Sequence, residues 1–295
     1  MSRALVLSGG GSVGIGWQTG IAAGLASEGV DLAEADFIVG TSAGSVVGAQ
    51  IALGRDMGGR LERYRKPRPS SEDPSEGSSA RPSFPPERLE QLMKVMAEPA
   101  GETDEERRAS IGRFALEAET GAEDAFVDGF SRLASGPWPA RYVCTAVNAQ
   151  TGEFKVWDAD AGVPLERAVA SSCCVPGIFP PVTIGDARYM DGGMRSVANL
   201  DLAAGHEKVL LITLMSGDRP AINERMAELF RRRAEAERKA VTDAGGTIEV
   251  IAPDADAAKT MGMNLMDASL AGAAAEAGFK QGTSTASGIS AFWQR

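Results

Sequence analysis

Gly40-Thr41-Ser42-Ala43-Gly44 is a G-x-S-x-G pentapeptide that follows Asp36-Phe37-Ile38-Val39 and precedes Val46, Val47, Ile51 and Leu53. That spacing predicts a strand, a tight turn and a helix. Small neighbours let such a turn lift the Ser42 hydroxyl clear of a sheet, where it can act as a nucleophile. The competing reading is a serine that only caps the helix. A serine nucleophile needs a base, and histidine is the usual one. The chain has one histidine, His206, in Gly205-His206-Glu207. The order Ser42, Asp191 or Asp201, His206 mimics a hydrolase triad, but the placement opposes it. His206 stands at the amino end of the predicted strand 209–215, whereas Ser42 follows the carboxyl end of its own strand. In a parallel sheet those are opposite edges. Tyr189-Met190-Asp191-Gly192-Gly193 offers a carboxylate base instead. A carboxylate of ordinary pKa, ~3.9, is ionised but weak, so burial has to raise its basicity. The alternative for Asp191 is an Asp-Gly turn joining two strands.

Gly9-Gly10-Gly11-Ser12-Val13-Gly14 satisfies G-x-G-x-x-G between a strand and a helix. A dinucleotide site also wants an acid at the end of the second strand, where this chain has Gly40-Thr41-Ser42, and no Gly-Lys-Ser/Thr forms a P-loop. Unobstructed amides at a helix start suit an oxyanion equally well. The other use of such a turn is close packing of strand against helix.

These residues need elements to hold them. Ala4 to Leu7 reads as a buried strand and Gly16 to Ser27 as a small-residue helix, and the strand, turn, helix unit repeats at 36–53. Two such units predict an α/β fold with a mainly parallel sheet. Strands are expected at 142–147, 154–157, 209–215 and 248–251, with a charged helix over 222–242. Residues 56–86 read as a polar, Pro/Ser-rich insertion and 87–135 as a helical segment. Ile222, Met226, Leu229 and Phe230 share a helical face ahead of Arg231, Arg232 and Arg233, which suits a membrane surface or ordinary core packing. Met261, Met263 and Met266 are spaced to line an acyl pocket or to fill core.

The chain has 295 residues and a net charge of −10, a balance that disfavours nucleic-acid binding. Three cysteines, Cys144, Cys173 and Cys174, form neither a disulfide framework nor a metal-ligand spacing, and a reducing cytoplasm fits them best. No run approaches the ~18 apolar residues of a membrane span.

Four blocks together resemble the patatin-like phospholipase family: Gly9 to Gly14, Gly40 to Gly44, Ser172 to Pro181, and Asp191-Gly192-Gly193. The resemblance implies a three-layer α/β/α sandwich with a mainly parallel central sheet, in one domain over 1–285 with a tail at 286–295. It implies Ser42 as nucleophile, Asp191 as general base without histidine, and the amides of Gly10, Gly11 and Ser12 as oxyanion hole. It further implies a rigid loop bearing Pro176 and Phe179, either beside the acyl pocket or purely structural, and a lipid acyl ester as substrate. No cofactor or metal is expected, no nucleic-acid partner, and at most transient contact of a cytoplasmic protein with a membrane surface. The family often has Arg or Lys where this chain has Val13, a departure that bears on phosphate-carrying substrates. The rival expectations are an inactive lipid or protein binder of the same fold, and a Ser-Asp-His α/β-hydrolase.

Overall fold

The computed structural model describes residues 1–66, 86–133, 136–214 and 224–293. The Pro/Ser-rich stretch 67–85 lies outside these residues, as do Ile222 and the side chain of Met226 of the expected apolar face. Chain order is β1 (Arg3–Leu7), α1 (Gly11–Ser27), β2 (Phe37–Gly40), α2 (Ala43–Ala52), α3 (Met57–Arg65), α4 (Pro86–Ala97), α5 (Asp104–Glu117) and α6 (Glu123–Asp128). It continues with β3 (Tyr142–Asn148), β4 (Phe154–Trp157), α7 (Leu165–Cys173), β5 (Val182–Ile184), β6 (Ala187–Asp191), β7 (Lys208–Ile212), α8 (Glu224–Asp243), β8 (Thr247–Ile251), α9 (Ala255–Met261) and α10 (Ala271–Trp293).

One sheet unites the eight described strands, with β3, β2, β1, β7 and β8 parallel in that order. β1 is central and buried on both faces, so its apolar residues divide by parity. Leu5 and Leu7 join Trp17 and Ile21 of α1 and Ala274 of α10, whereas Ala4 and Val6 join Leu211 of β7 and Val241 of α8. This gives the three layers: α1, α2, α3 and α10 on one face, and α8 with a short 3-10 turn at Leu200–Ala203 on the other. Helices α4 to α6 cover a third cluster around Val147, Val182 and Met190.

Two expectations change. Residues 286–293 are the last turns of α10, one side of which is anchored in the core by buried Ala286, Ile289 and Trp293. Residues 57–65 form α3, whose Met57 and Leu61 are buried in the core, so this part of the expected insertion belongs to the layer. The small-residue helix α1 is explained by α10. A Cβ on Gly20 would lie 2.0 Å from the carbonyl oxygen of Ala275, a separation no side chain allows.

The arrangement that matters most lies along β3. Cys144 pairs with Gly40 of β2 on one side and Trp157 of β4 on the other, while Ala146 pairs with Asp191 of β6 and Lys155 of β4. A strand has two edges, so β2 and β6 occupy the same one. They run in opposite senses and meet with their carboxyl ends facing across Thr145.

Candidate active site

Ser42 follows β2 and opens α2 with φ 51° and ψ −118°, a positive φ rare for a residue with a side chain. Its glycine neighbour Gly44 permits the turn, since a Cβ there would stand 2.1 Å from the carbonyl oxygen of Leu7. The turn is clamped at the backbone. Ser42 N–H donates to Ser172 Oγ at 3.0 Å, and Ser42 O accepts from Ser45 Oγ at 2.6 Å and Cys173 Sγ at 3.2 Å. The hydroxyl caps none of the α2 amides, so the helix-cap reading lacks its bond. Such strain is of order 1–3 kcal/mol and is retained where the surroundings over-determine it.

Asp191 ends β6 and is 2% exposed. Its Oδ1 accepts the Gly193 N–H at 2.7 Å, while Oδ2 is buried and makes no hydrogen bond among the described residues. The carboxyl is raised to about 6, because burial outweighs the lowering by the nearby Ser42 hydroxyl and the Gly193 amide. The Asp-Gly sequence does turn the chain, into a 3-10 segment at Gly192–Met194, but no strand follows directly.

The glycine turn lies against this pair: a Cβ on Gly9 would be 3.4 Å from Ser42 Cβ. Gly9 N–H donates to Val197 O at 2.8 Å and Val13 N–H to Leu265 O at 3.1 Å. Between them, the amides of Gly10, Gly11 and Ser12 have no hydrogen-bond partner among the described residues. Gly11 adopts φ +59°, and α1 runs from it for 17 residues, so its positive dipole end lies at these amides.

Other expected residues are distributed more widely. Pro176 is buried, and Phe179 stacks on Phe126 of α6 at 4.6 Å in the cluster that includes Met190 and Met194. Of the three methionines, Met261 is core, Met263 is exposed, and Met266 places its sulfur beside Gly11. Arg231 and Arg232 pair with Glu228 of the same helix, and Leu229 is exposed. His206 stacks on Phe37 at 5.2 Å, at the start of β2, whereas Ser42 lies beyond its end. Asp201 is committed to Arg195 through a bidentate pair at 2.9 and 2.6 Å. The triad order therefore has no counterpart in space. His206→Ala is expected to leave ester turnover unchanged, which a rate comparison at neutral pH checks.

Several residues around Ser42 and Asp191 were invisible to sequence reasoning. Ser172, Thr41, Thr145 and Asn199 all contact this region, and none belongs to a periodic or motif pattern that marks such a role. Thr41 and Ser172 lay inside quoted blocks, but at positions to which no role was attached.

No curated protein sequence matches the chain. Among solved structures, VipD from Legionella pneumophila aligns with TM-score 0.44 and 16% identity, covering 97% of this chain and 67% of that one. The type III effector protein ExoU aligns with TM-score 0.41 and 15% identity, covering 97% of this chain and 53% of that one. No described helix is long and apolar enough to cross a membrane. The family model for the patatin-like phospholipases matches residues 5–204, the greater part of the chain and the region holding all four blocks, and the chain belongs to that family.

Proposed function

We propose that this lipid acyl hydrolase cleaves carboxylic esters through a Ser42–Asp191 dyad, with the amides of Gly10, Gly11 and Ser12 as oxyanion hole. The observation that carries this is the meeting of β2 and β6 on one edge of β3. It brings a strained, uncapped serine to a buried carboxylate oxygen and beside three amides, none of these with a hydrogen-bond partner among the described residues. Ser42 Oγ attacks the ester carbonyl, and its proton passes to Asp191 Oδ2. The carbonyl oxygen becomes an oxyanion facing the three amides. Collapse breaks the bond to the alcohol, which leaves with the proton from Asp191. Water then gives its proton to Asp191 and attacks the acyl enzyme, releasing the acid and restoring Ser42.

Burial tunes the base for this work. With its pKa near 6, Asp191 is ionised at pH 7 yet holds a proton better than an ordinary carboxylate. The free-enzyme rate, kcat/KM, is expected to fall as pH drops through about 6, because protonated Asp191 cannot accept the serine proton. A pH–rate profile with its acid limb near 4 contradicts the assignment. Phospholipid, lysophospholipid and neutral ester are the substrate classes to separate.

The direct test is labelling with a fluorophosphonate and location of the modified peptide by mass spectrometry. Modification at Ser42, lost in Asp191→Asn and kept in His206→Ala, is the expected result. Failure of the wild type to label makes the chain a non-catalytic binder of this fold, and loss in His206→Ala restores the triad.

A further inference from the structure

We propose that Asn199 is a positioning residue that holds the Ser42 turn and the Asp191 end of β6 in one frame. This rests on the reading of Ser42 and Asp191 as the reacting pair. β2 and β6 share no hydrogen bonds with each other; they abut across Thr145, and something must set the distance between them. Asn199 sits at that junction, fully buried. Its Nδ2 donates to Thr41 Oγ1 at 3.0 Å and Ser196 O at 2.8 Å, with Thr145 Oγ1 at 3.3 Å and Gly192 O at 3.5 Å as further acceptors. Thr41 precedes Ser42 in the chain and Gly192 follows Asp191. One amide group therefore reaches the residue next to each reacting side chain.

The orientation of that amide is determined from its other end. Arg195 Nη1 donates to Asn199 Oδ1 at 2.8 Å. A guanidinium only donates, so it selects the oxygen and sends the NH2 toward Thr41. Arg195 is held in turn by the bidentate pair with Asp201 and lies over the Phe154 ring at 4.3 Å. The backbone is pinned as well. Asn199 has φ 52°, a conformation that asparagine tolerates better than most residues, and the next amide, Leu200 N–H, donates to Glu237 Oε2 of α8 at 3.0 Å. Side-chain chemistry and backbone conformation at this position select the same residue type.

Asn199→Gly tests this best, because glycine accepts φ 52° while the amide is lost together with its Cβ. Turnover of a 4-nitrophenyl ester by the full chain is expected to fall about 10²-fold in kcat with KM unchanged, the effect of a displaced reacting group. Titration of the 13C-labelled Asp191 carboxyl supplies a readout that needs no turnover. The Ser42 hydroxyl lowers that pKa, so its displacement moves the titration upward. The titratable groups facing Asp191 are the thiols of Cys173 and Cys174, both pushed up by burial and neutral in this range, so they do not imitate the shift. Thr41→Val is expected to reproduce the loss, Thr41→Ser to retain activity, and the Asn199→Gly/Thr41→Val double variant to lose less than the product of the two.

A folded Asn199→Gly with wild-type kcat and an unmoved Asp191 titration overturns the proposal. If Asn199→Gly does not fold, the Thr41 pair decides, and equal activity of Thr41→Val and Thr41→Ser overturns it. A wild type without Ser42-dependent turnover refutes the dyad instead. The carboxyl titration then still decides Asn199, supporting it by moving and refuting it by standing still.

Discussion

Asp191→Asn is expected to give a protein that is more stable than wild type at pH 7 and slower in ester turnover by about 10²–10⁴-fold, the usual contribution of a general base. Both effects have one cause. The carboxyl rises from its ordinary 3.8 to about 6, because burial disfavours the charged form. The folded state therefore binds the proton more tightly than the unfolded chain. The stability this confers is full below 3.8 and is lost as pH rises through about 6. At pH 7 the ionised group is left destabilising the fold by about 3 kcal/mol relative to a neutral one, from ~1.4 kcal/mol for each pKa unit. Asparagine keeps the shape and removes the charge. Urea unfolding at pH 7 and pH 3.5 checks this: the variant gains stability at the higher pH and converges on wild type at the lower. Equal destabilisation at both pH values refutes the buried, strained-charge account of the base.

Gly11→Ala is the second large effect. A Cβ there would lie 2.5 Å from the carbonyl oxygen of Leu265 and 2.7 Å from the sulfur of Met266, at φ +59°. The methionine can move, but the carbonyl holds the Val13 amide, so the turn itself has to shift. Shifting it withdraws amides from the oxyanion position, and kcat is expected to fall about 10²–10³-fold, the worth of one donor. Gly29→Ala is the control. Gly29 has φ +80° with open space where a Cβ would stand, so alanine there meets similar backbone strain away from the site. Steady-state kinetics and thermal unfolding of both variants separate the causes. Comparable loss of kcat in the two would show that strain, and not the oxyanion position, limits turnover.

Much of the site could be read from short stretches of chain because its sterics are local. Gly40, Ser42 and Gly44 lie within five residues, and a strand-to-helix turn of that composition has few conformations open to it. The placement of His206 was legible for the same reason. Its position before a strand determines the sheet edge once the strands are parallel. The methionines were not legible, since three residues within six diverge to core, solvent and the glycine turn. Nor was the end of the chain. Gly16, Gly20 and Gly24 demand a close partner, but nothing in their spacing names α10, more than 250 residues away.

Local composition thus located six of the eight described strands, the two glycine-dependent turns and the candidate nucleophile, but not β5 or β6, because φ/ψ limits and hydrophobic parity act between near neighbours. The meeting of β2 with β6, the desolvation that lifts Asp191, and the amide of Asn199 between them arise from folding of the whole chain. Pairing across some 150 residues depends on which edges remain free once the sheet has formed. A carboxylate's basicity depends on the water that the assembled layers exclude.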